Sequence, residues 1–375
     1  MRVLVYTEAW GRGGIESLLM NAFRIMRNAH VEFTLFSTWA WNSSFDAELN
    51  SMGVKRSSLF GNDKPNQFKR LFGGVREFGH LCDEFHPDAV WINTMNGAGL
   101  FYAHSSKRFG VPVRIVHSHN SDVGEGAKAF KRFVSWACSM AFCNDSTVRL
   151  ACSREAGCYL FGKYPFRVVN NGIDVERFRF RQKYRDAVRE ELGLKEGEVL
   201  VGNIGRIAPA KNQIFQIEIF AEYLRLEPSA RYLMLGESES LYMTKVRARA
   251  AELGVVDRLI MHDSVAETAP WYSALDAFLL PSLFEGLAMV RVEAQCSGLP
   301  ILLSDGQASE GNLTELSKSI SLNRSAQVWA EELHNMVHAE RESRSLYADK
   351  VADAGFDLDS LSNTLYTAFG EGLGE

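Results

Sequence analysis

The stretch "DAFLLPSLFEGLAMVRVEAQCSG", residues 276–298, contains the structural unit from which most of the chain is built. A short apolar run typical of a buried strand comes first, and a turn with a glycine follows. The remaining residues have the spacing of an amphipathic helix. Strands that are apolar on both faces and alternate with helices belong to parallel sheets covered on both sides. The stretch therefore predicts one strand–helix step of a doubly wound α/β fold.

This alternation of strands and helices occurs twice. Short β-branched runs recur from "RVLVYT" at residues 2–7 to "FRVVNNG" at residues 166–172, and a second series begins near residue 199. A chain of 375 residues is long enough for two domains. We predict an α/β protein of two doubly wound, Rossmann-like domains, 1–170 and 171–355, that face each other across a cleft. Ligands of such sheets bind at the carboxyl ends of the strands.

Composition narrows the class of protein. No apolar run approaches the roughly 20 residues that a membrane-spanning helix needs, and the apolar start of the chain resembles a strand rather than a cleavable signal. Six cysteines without a C-x-x-C pair indicate reduced cytosolic thiols rather than disulfides or zinc. A pI near 6 and the lack of a recognition motif argue against nucleic-acid binding. The sequence thus predicts a cytoplasmic protein.

The two halves of the chain differ in charge. Residues 1–170 hold 20 lysines and arginines against 14 aspartates and glutamates, whereas the remainder is acidic. Basic and aromatic residues are interleaved in "NDKPNQFKRLFGGVREF" (62–78) and "GAKAFKRFVSW" (126–136). Such stretches suit an anionic membrane surface, and we expect a peripheral association with the inner face of the cell membrane. The alternative is that each stretch is a solvated amphipathic helix lying over its own core.

Two glutamates follow the strand of the opening stretch. Glu285 lies in the turn, and Glu293 lies about a turn and a half into the helix. Gly286 allows a ligand to approach the backbone closely. The residues after it have free amides at the start of the helix: Leu287, Ala288 and Met289. Such amides bind anions. Carboxylates beside an anion site suit a neutral polyol attached to that anion, which is the chemistry of a sugar diphosphate.

Cations and glycines follow another strand of the second half. "VGNIGRIAPAKNQ" (201–213) places Gly205, Arg206 and Lys211 at the end of that strand. The planar guanidinium and the ammonium point charge can together neutralise a diphosphate. We therefore expect these two cations at the same sheet edge as the glutamates.

Glycines and histidines follow strands of the first half. In "GRGGIES", Gly13 and Gly14 form a phosphate-compatible loop, but they do not match the G-x-G-x-x-G of dinucleotide-dependent oxidoreductases. "VHSHNSD" brings His117 and His119 to the end of another strand. No further ligands with suitable spacing accompany them, so we expect no zinc. The functional interpretation is a neutral histidine that donates a hydrogen bond to a sugar or leaving group; the alternative is a structural histidine.

In this order, the motifs resemble the retaining, nucleotide-sugar-dependent glycosyltransferases of family 4, which have a GT-B fold. The matching pieces are "GGIE", "HSHNS", "ACSREAGCYLFG", "VVNNGID", "GNIGRIAPAKNQ" and "PSLFEGLAMVRVEAQCSGLP". The last piece is similar to the E-x7-E element of that family. The resemblance extends from about residue 1 to residue 310, and it is closest to the branch that builds capsular and exopolysaccharides in bacteria.

The resemblance implies a role for each charged residue. Glu285 would hold hydroxyls of the donor sugar, and Glu293 would hold the ribose. Arg206 and Lys211 would grip the diphosphate and stabilise the negative charge that builds on the leaving group. His119 would bind the donor sugar beside the reacting carbon.

The resemblance also implies roles for the loops. His117 is the second choice for the role of His119. The amides of 286–289 would contact sugar and phosphate, and Gly14 would let its loop approach the phosphates. Four residues would border the nucleoside: Gly236, Glu237, Ser264 and Val265. The final helix, 356–375, would return to the first domain.

For the reaction, the resemblance implies transfer with retained anomeric configuration, without a metal and without any cofactor besides the donor. The expected donor is a UDP-linked hexose or N-acetylhexosamine, and the expected acceptor is a lipid-linked saccharide. Ala288 stands where many relatives have proline, and Arg291 where they have an aliphatic residue. We expect Arg291 either to lie at the surface or to adjust the donor pocket. These departures leave the identity of the sugar open.

Two other functions fit the same architecture. The first is a sugar-nucleotide epimerase, which needs acids and bases in the cleft and no acceptor. The second is a non-catalytic subunit of a polysaccharide assembly, which has no need of the four charged residues and the histidine to which the resemblance gives roles: Glu285, Glu293, Arg206, Lys211 and His119. Binding of a nucleotide and dependence on an acceptor separate these functions from a glycosyltransferase.

Overall fold

The computed structural model describes residues 1–11, 13–27, 31–40, 45–62, 66, 69–120, 128–237, 240–283, 285 and 287–371. They form two compact units. The first is Met1–Gly172 together with Leu358–Glu375, and the second is Ile173–Asp357. The last helix of the chain thus belongs to the first unit. Within the described ranges, each helix is too short or too polar to cross a membrane.

The first unit is built on a parallel sheet. Its described strands are β1 Arg2–Trp10, β2 Glu32–Ala40, β3 Lys55–Ser58, β4 Ala89–Thr94, β5 Val113–Ser118, β6 Val148–Ala151 and β7 Arg167–Val168. They lie in the order β3-β2-β1-β4-β5-β6-β7. The order reverses between β1 and β4, so the carboxyl ends of these strands form the switch point where ligands of doubly wound sheets bind.

Helices cover both faces of this sheet. They are α1 Gly14–Met26, α2 Asp46–Ser51, α3 Gly74–Phe85, α4 Gly99–Arg108, α5 Lys128–Phe142, α6 Arg154–Phe161 and, from the end of the chain, α15 Leu358–Glu371. Side chains of β1 alternate between the faces: Val3 and Val5 enter one core, and Leu4 and Tyr6 enter the other. Phe369 of α15 is buried in the first of these cores. The final helix is therefore part of the fold of the first unit.

The second unit repeats this architecture. Its described strands are β8 Leu200–Ile204, β9 Arg231–Leu235, β10 Leu259–His262, β11 Ala277–Leu280, β12 Ile301–Ser304 and β13 Ser317–Ile320. They are parallel and lie in the order β10-β9-β8-β11-β12-β13, so the switch point lies between β8 and β11. The described helices are α7 Val175–Phe178, α8 Gln182–Glu191, α9 Gln213–Leu226, α10 Ser240–Glu252, α11 Ala269–Ala274, α12 Met289–Cys296, α13 Ala326–His338 and α14 Tyr347–Val351.

Helix α5 has an unusual orientation. Its large apolar side chains Phe133, Trp136 and Met140 are about half exposed or more, whereas its small residues Ser135 and Ser139 are buried. The helix thus covers the core of its own unit with its small residues and leaves large apolar side chains of the basic stretch exposed. The spacing of three and four residues puts the exposed apolar side chains in one stripe.

Candidate functional site

The predicted residues of the second unit lie at the carboxyl edge of its sheet. They follow four neighbouring described strands: Ser264 and Val265 after β10, Gly236 and Glu237 after β9, Gly205, Arg206 and Lys211 after β8, and Glu285 with Leu287, Ala288 and Met289 after β11. Gly286 lies outside the described residues. This arrangement brings the predicted residues to the switch point because parallel strands end at one edge.

Lys211 and Glu285 form an ion pair at this edge. Their side chains are only 21% and 12% exposed, so water screens their attraction less than at an open surface. The hydroxyl of Ser282 donates a hydrogen bond of 2.8 Å to the same carboxylate oxygen of Glu285. The sequence predicts separate tasks for the two charges, and the structure places them in direct contact. A ligand that binds here must compete with, or extend, this pair.

Hydrogen bonds tie the loop that carries Lys211 to the turn after β11. The Asn212 side-chain amide donates to the carbonyl of Pro281 at 3.1 Å, and the Leu283 amide donates to the carbonyl of Ala210 at 2.9 Å. Asn212 has a positive φ of 56°, a backbone conformation that asparagine tolerates better than most residues. These bonds hold the two loops together and so keep the ammonium group of Lys211 beside the carboxylate of Glu285.

Two glycines permit close approach between the ends of β8 and β9. Gly205 and Gly236 have φ of 146° and 152°, which side chains rarely adopt. A Cβ on Gly236 would lie 2.1 Å from the carbonyl oxygen of Gly205. Gly236 therefore cannot carry a side chain without moving the β8 loop, which continues directly into Arg206.

The site also offers unpaired groups of positive character. Arg206 is exposed, and its guanidinium makes no hydrogen bond or ion pair with another described residue. The amides of Leu287, Ala288 and Met289 likewise have no acceptor within the described chain. Ala288 precedes α12 in an extended conformation without a side-chain cap. The guanidinium and the amides are therefore available to an anion at this helix terminus.

Glu293 is held by a tyrosine that sequence reasoning missed. The Tyr272 hydroxyl, on α11, donates a 2.7 Å hydrogen bond to the Glu293 carboxylate. Burial raises the pKa of Glu293, and the hydrogen bond from Tyr272 opposes that rise. The pKa of Tyr272 is raised well above its usual value, first by burial and then by the neighbouring carboxylate, so the phenol remains a donor. Nothing in the sequence around Tyr272 indicated this contact.

Arg291 is buried, which excludes the surface position that the sequence left open. It is 1% exposed, and burial lowers its pKa to about 10. Its guanidinium donates to the Ala308 carbonyl at 2.8 Å and to the side chain of Asn312. A Cβ on Gly311 would lie 2.8 Å from the same guanidinium. Arg291 therefore anchors the loop after β12 through its buried guanidinium.

In the first unit, His119 lies at the end of β5 and bonds to Asn93 at the end of β4. Its Nε2 is 2.8 Å from Asn93 Oδ1. The Asn93 amide nitrogen points at the carbonyls of Tyr6 and Trp91, so the oxygen must face the histidine. Burial lowers the pKa of His119 to about 3. The ring is therefore neutral, with its proton on Nε2, and the remaining Nδ1 is an acceptor rather than the predicted donor.

Asn93 was missed by sequence reasoning, although a signal for it exists. It is a polar residue at the end of the apolar run "DAVWINT", the position at which the other strands carry their chemically active residues. Its 1% exposure shows that it is part of the site's support rather than its surface.

His117 is the less suitable of the two histidines. It is fully buried, it stacks on Trp91 with ring centroids 6.2 Å apart, and neither ring nitrogen has a partner within the described residues. Burial, and then the neighbouring His119, lower its pKa well below the usual value. A neutral, enclosed ring of this kind fits the structural interpretation, whereas His119 is half-buried at the strand end.

The glycine loop after β1 is partly occupied by a carboxylate. The Gly11 amide donates to Glu16 at 3.2 Å, and burial raises the pKa of Glu16. Gly13 is extended, a conformation open to any residue, but a Cβ there would lie 2.7 Å from the Glu16 carboxylate. Gly14 has open space where a side chain would stand. The loop therefore has room for a ligand at Gly14 but not at the Gly11 amide.

Models of known protein families match both units. The model described as Glycosyltransferase Family 4 matches residues 12–177, and the model described as Glycosyl transferases group 1 matches residues 184–349.

The full length of the chain is similar to EpsF of Bacillus subtilis strain 168, a protein named as a glycosyltransferase, with 27% identity over 381 residues, 98% of this chain and 96% of that protein. A UDP-Gal:alpha-D-GlcNAc-diphosphoundecaprenol alpha-1,3-galactosyltransferase of Escherichia coli is 30% identical over 141 residues, 37% of this chain and 36% of that protein. The solved structure of HepE from Anabaena, in complex with UDP-glucose, has a TM-score of 0.80 at 18% identity and covers 99% of this chain and 100% of that chain. The chain therefore has the GT-B fold and belongs to the glycosyltransferases, with a Family 4 domain followed by a group 1 domain.

Proposed function

We propose that this glycosyltransferase moves a hexose or N-acetylhexosamine from a UDP-linked donor to a lipid-linked saccharide, with retention of anomeric configuration. The main support for a nucleotide-sugar donor is the contact between Lys211 and Glu285, which lies beside the free amides at the start of α12. The amides and the ammonium group of Lys211 suit phosphate oxygens, and the carboxylate of Glu285 suits sugar hydroxyls. The names of two relatives support the choice of substrates, since one acts on a UDP-galactose and a lipid-linked acceptor and the other binds UDP-glucose.

The chemistry follows from where charge develops. As the bond between sugar and diphosphate breaks, negative charge grows on the leaving phosphate, and groups placed there beforehand stabilise the transition state. Arg206 and Lys211 supply fixed positive charge, and the amides of 287–289 supply dipoles. Glu285 accepts hydrogen bonds from hydroxyls of the sugar, and Glu293 accepts them from the ribose. No step in this scheme requires a metal or another cofactor.

In the first unit, we assign His119 to a sugar hydroxyl. Because Nε2–H donates its hydrogen bond to Asn93 Oδ1, the free Nδ1 accepts a hydrogen bond from such a hydroxyl, and the ring stays neutral at physiological pH. Gly14 leaves its backbone accessible, which suits a phosphate or a sugar that approaches α1.

The same proposal includes an anionic membrane surface as partner of the first unit. The stripe of Phe133, Trp136 and Met140 on α5 is exposed, and the exposed Arg132 adjoins it. Phe72, in the other basic stretch, is 68% exposed. Aromatic side chains beside basic ones bind the interface of anionic bilayers, where a lipid-linked acceptor resides.

Vesicle flotation tests this partner. The wild type is expected to float with vesicles that contain phosphatidylglycerol and not with phosphatidylcholine alone. The double variant Phe133→Ser, Trp136→Ser is expected to lose most of this binding. Leu241→Ser is the control, since Leu241 is 83% exposed on the second unit. Equal flotation of all three proteins would mean that α5 does not contribute to membrane binding.

A thermal-shift panel of UDP, GDP, ADP and UDP-linked hexoses and N-acetylhexosamines tests the donor. A ligand at 100 times its dissociation constant adds about 2.7 kcal/mol of stability. We expect UDP and one UDP-sugar to raise the melting temperature of the wild type. Glu293→Ala should lose the response to UDP, whereas Glu285→Ala should keep it and lose discrimination between sugars. Glu252→Ala, on the exposed side of α10, is the control.

The outcomes separate the competing functions. A flat panel would favour a non-catalytic subunit. Conversion of a UDP-sugar into its epimer without any acceptor would favour an epimerase. With a lipid-linked acceptor, the NMR coupling constant of the new anomeric proton reports retention or inversion, and an inverted product would contradict the proposed stereochemistry.

A further inference from the structure

A group of potential metal ligands lies away from the donor site of the second unit. Glu227 follows the end of α9, and His334 and His338 lie on α13. One ligand atom from each of the three residues lies within 4.8 Å of the others. The expectation from sequence, that no zinc ligands cluster, did not foresee this group. Two histidines four residues apart on a helix face the same side and can bind one metal ion.

The distances fit a shared ion better than a direct contact. His338 Nε2 is 3.5 Å from Glu227 Oε2. A charge-assisted hydrogen bond between such atoms is usually about 2.7–2.9 Å. Two ligand atoms on one tetrahedral zinc ion are about 3.4 Å apart, given metal–ligand bonds near 2.0–2.2 Å. The rings of His334 and His338 have centroids 4.4 Å apart, so the two imidazoles lie close enough to share one ion.

Unpaired buried atoms point to a missing partner at the same place. His334 Nδ1 and the hydroxyl of Tyr223 are buried and have no hydrogen-bond partner within the described residues. The rings of these two residues are 6.2 Å apart. Orphaned buried polar atoms are uncommon and often mark an ion or an ordered water. The other carboxylate oxygen of Glu227 accepts a 3.0 Å hydrogen bond from Ser229, which orients it as the supporting groups of metal sites do.

We propose that Glu227, His334 and His338 bind one Zn²⁺ ion, with water as the fourth ligand. Two imidazoles and a carboxylate match the preference of zinc, whereas Mg²⁺ prefers oxygen ligands. The side chain of His338 is 51% exposed, so water can reach the fourth position. The ion would tie the end of α9 to α13. Since α9 is 14 residues long, the site lies about 20 Å along the helix from the loop of Lys211.

The test is a zinc titration of the tag-free full chain, stripped of metal and competed against a chromophoric chelator. We expect one Zn²⁺ per chain, no competition by Mg²⁺, and a tetrahedral absorption spectrum with Co²⁺. His334→Ala, His338→Ala and Glu227→Gln should each weaken zinc binding by about 10-fold or more, since even supporting groups cost 10- to 100-fold. His80→Ala, which removes an exposed histidine of the first unit, should bind zinc as the wild type does.

Three results would overturn the proposal: no zinc bound by the wild type, zinc binding that the three variants leave intact, or equal binding of Mg²⁺. His338→Ala keeps the test interpretable if another variant does not fold, because His338 is the exposed member of the group. Zinc should also raise the melting temperature of the wild type and leave that of His338→Ala unchanged.

Discussion

Glu293, proposed to bind the ribose, also affects the stability of the fold because its carboxylate is buried. Burial raises its pKa above the value of an unfolded chain. Between those two values the folded protein binds the additional proton, so the free energy of unfolding falls as pH rises. Glu293→Gln keeps an acceptor for the Tyr272 hydroxyl and removes this titration. We expect the variant to be more stable than the wild type at pH 8, with a smaller advantage near pH 5.

Urea unfolding of both proteins at the two pH values measures this difference. Glu252→Gln is the matched control, because Glu252 is exposed on α10 and should change stability equally at both pH values. An advantage of Glu293→Gln that is the same at pH 5 and pH 8 would mean that the carboxylate does not titrate differently in the folded state.

Asn93 controls which nitrogen of His119 carries the proton. Asn93→Ala removes the acceptor of the Nε2 proton, so we expect the neutral ring to become a mixture of tautomers. Asn93→Asp restores an acceptor and adds a negative charge, which should keep the Nε2 proton and raise the pKa of His119 from its low value of about 3. Ring ¹⁵N chemical shifts of His119 report both effects directly.

The control for this experiment is Asn96→Ala, which removes an asparagine from the same loop edge without a contact to His119. If Asn93→Ala retained a single tautomer with the proton on Nε2, the role assigned to Asn93 would be wrong. Turnover measured alongside should fall in Asn93→Ala and recover partly in Asn93→Asp, which a purely structural asparagine would not show.

The site residues that sequence could predict are those set by local pattern. His119 directly follows an apolar run, and Glu285 and Lys211 lie in the loops after such runs, so local sequence places all three beyond strand ends. Tyr272 lies on a different helix from Glu293, and no local pattern encodes their contact. Asn93 has a local signal at the end of its apolar run, but its bond to His119 links two neighbouring strands and is not encoded locally. The buried position of Arg291 was unpredictable for the same reason, since its acceptors lie in the loop after β12.

At the scale of elements, Asn212 joins two loops and occupies a strained backbone position. Asn212→Gly keeps the positive φ without strain and loses the hydrogen bond to Pro281. Asn212→Ala loses the hydrogen bond and also adds strain, which costs roughly 1 kcal/mol or more. We expect both variants to weaken UDP-sugar binding, because the Lys211 loop is no longer held to the turn of Glu285.

The matched pair separates the two effects. Melting temperatures should fall more in Asn212→Ala than in Asn212→Gly, whereas donor affinities should fall by similar factors. If Asn212→Gly bound the donor as the wild type does, the hydrogen bond to Pro281 would have no part in placing Lys211.

At the scale of the whole molecule, the strand–helix alternation was sufficient to predict two doubly wound sheets, because buried parallel strands are readable as apolar runs. Local pattern could not indicate that α15 belongs to the first unit, because its partners on β4 and β5 lie far away in sequence. The resemblance to family 4 supplied that expectation, and the burial of Leu361, Leu365 and Phe369 gives its physical reason. Apolar spacing alone does not say which side of α5 faces water, so the sequence left a membrane-facing helix and a core-covering helix both open.

Removal of metal from the whole protein tests the donor site and the proposed zinc site together. Excess EDTA should leave turnover nearly unchanged, because in the proposed donor site Arg206 and Lys211 supply the positive charge at the diphosphate. The same treatment should lower the melting temperature of the wild type to that of His338→Ala, because it removes the tie between α9 and α13. A complete loss of turnover that metal restores would refute the assignment of the two cations. A melting temperature that EDTA does not change would instead count against the zinc site alone, since the two sites lie at opposite ends of α9.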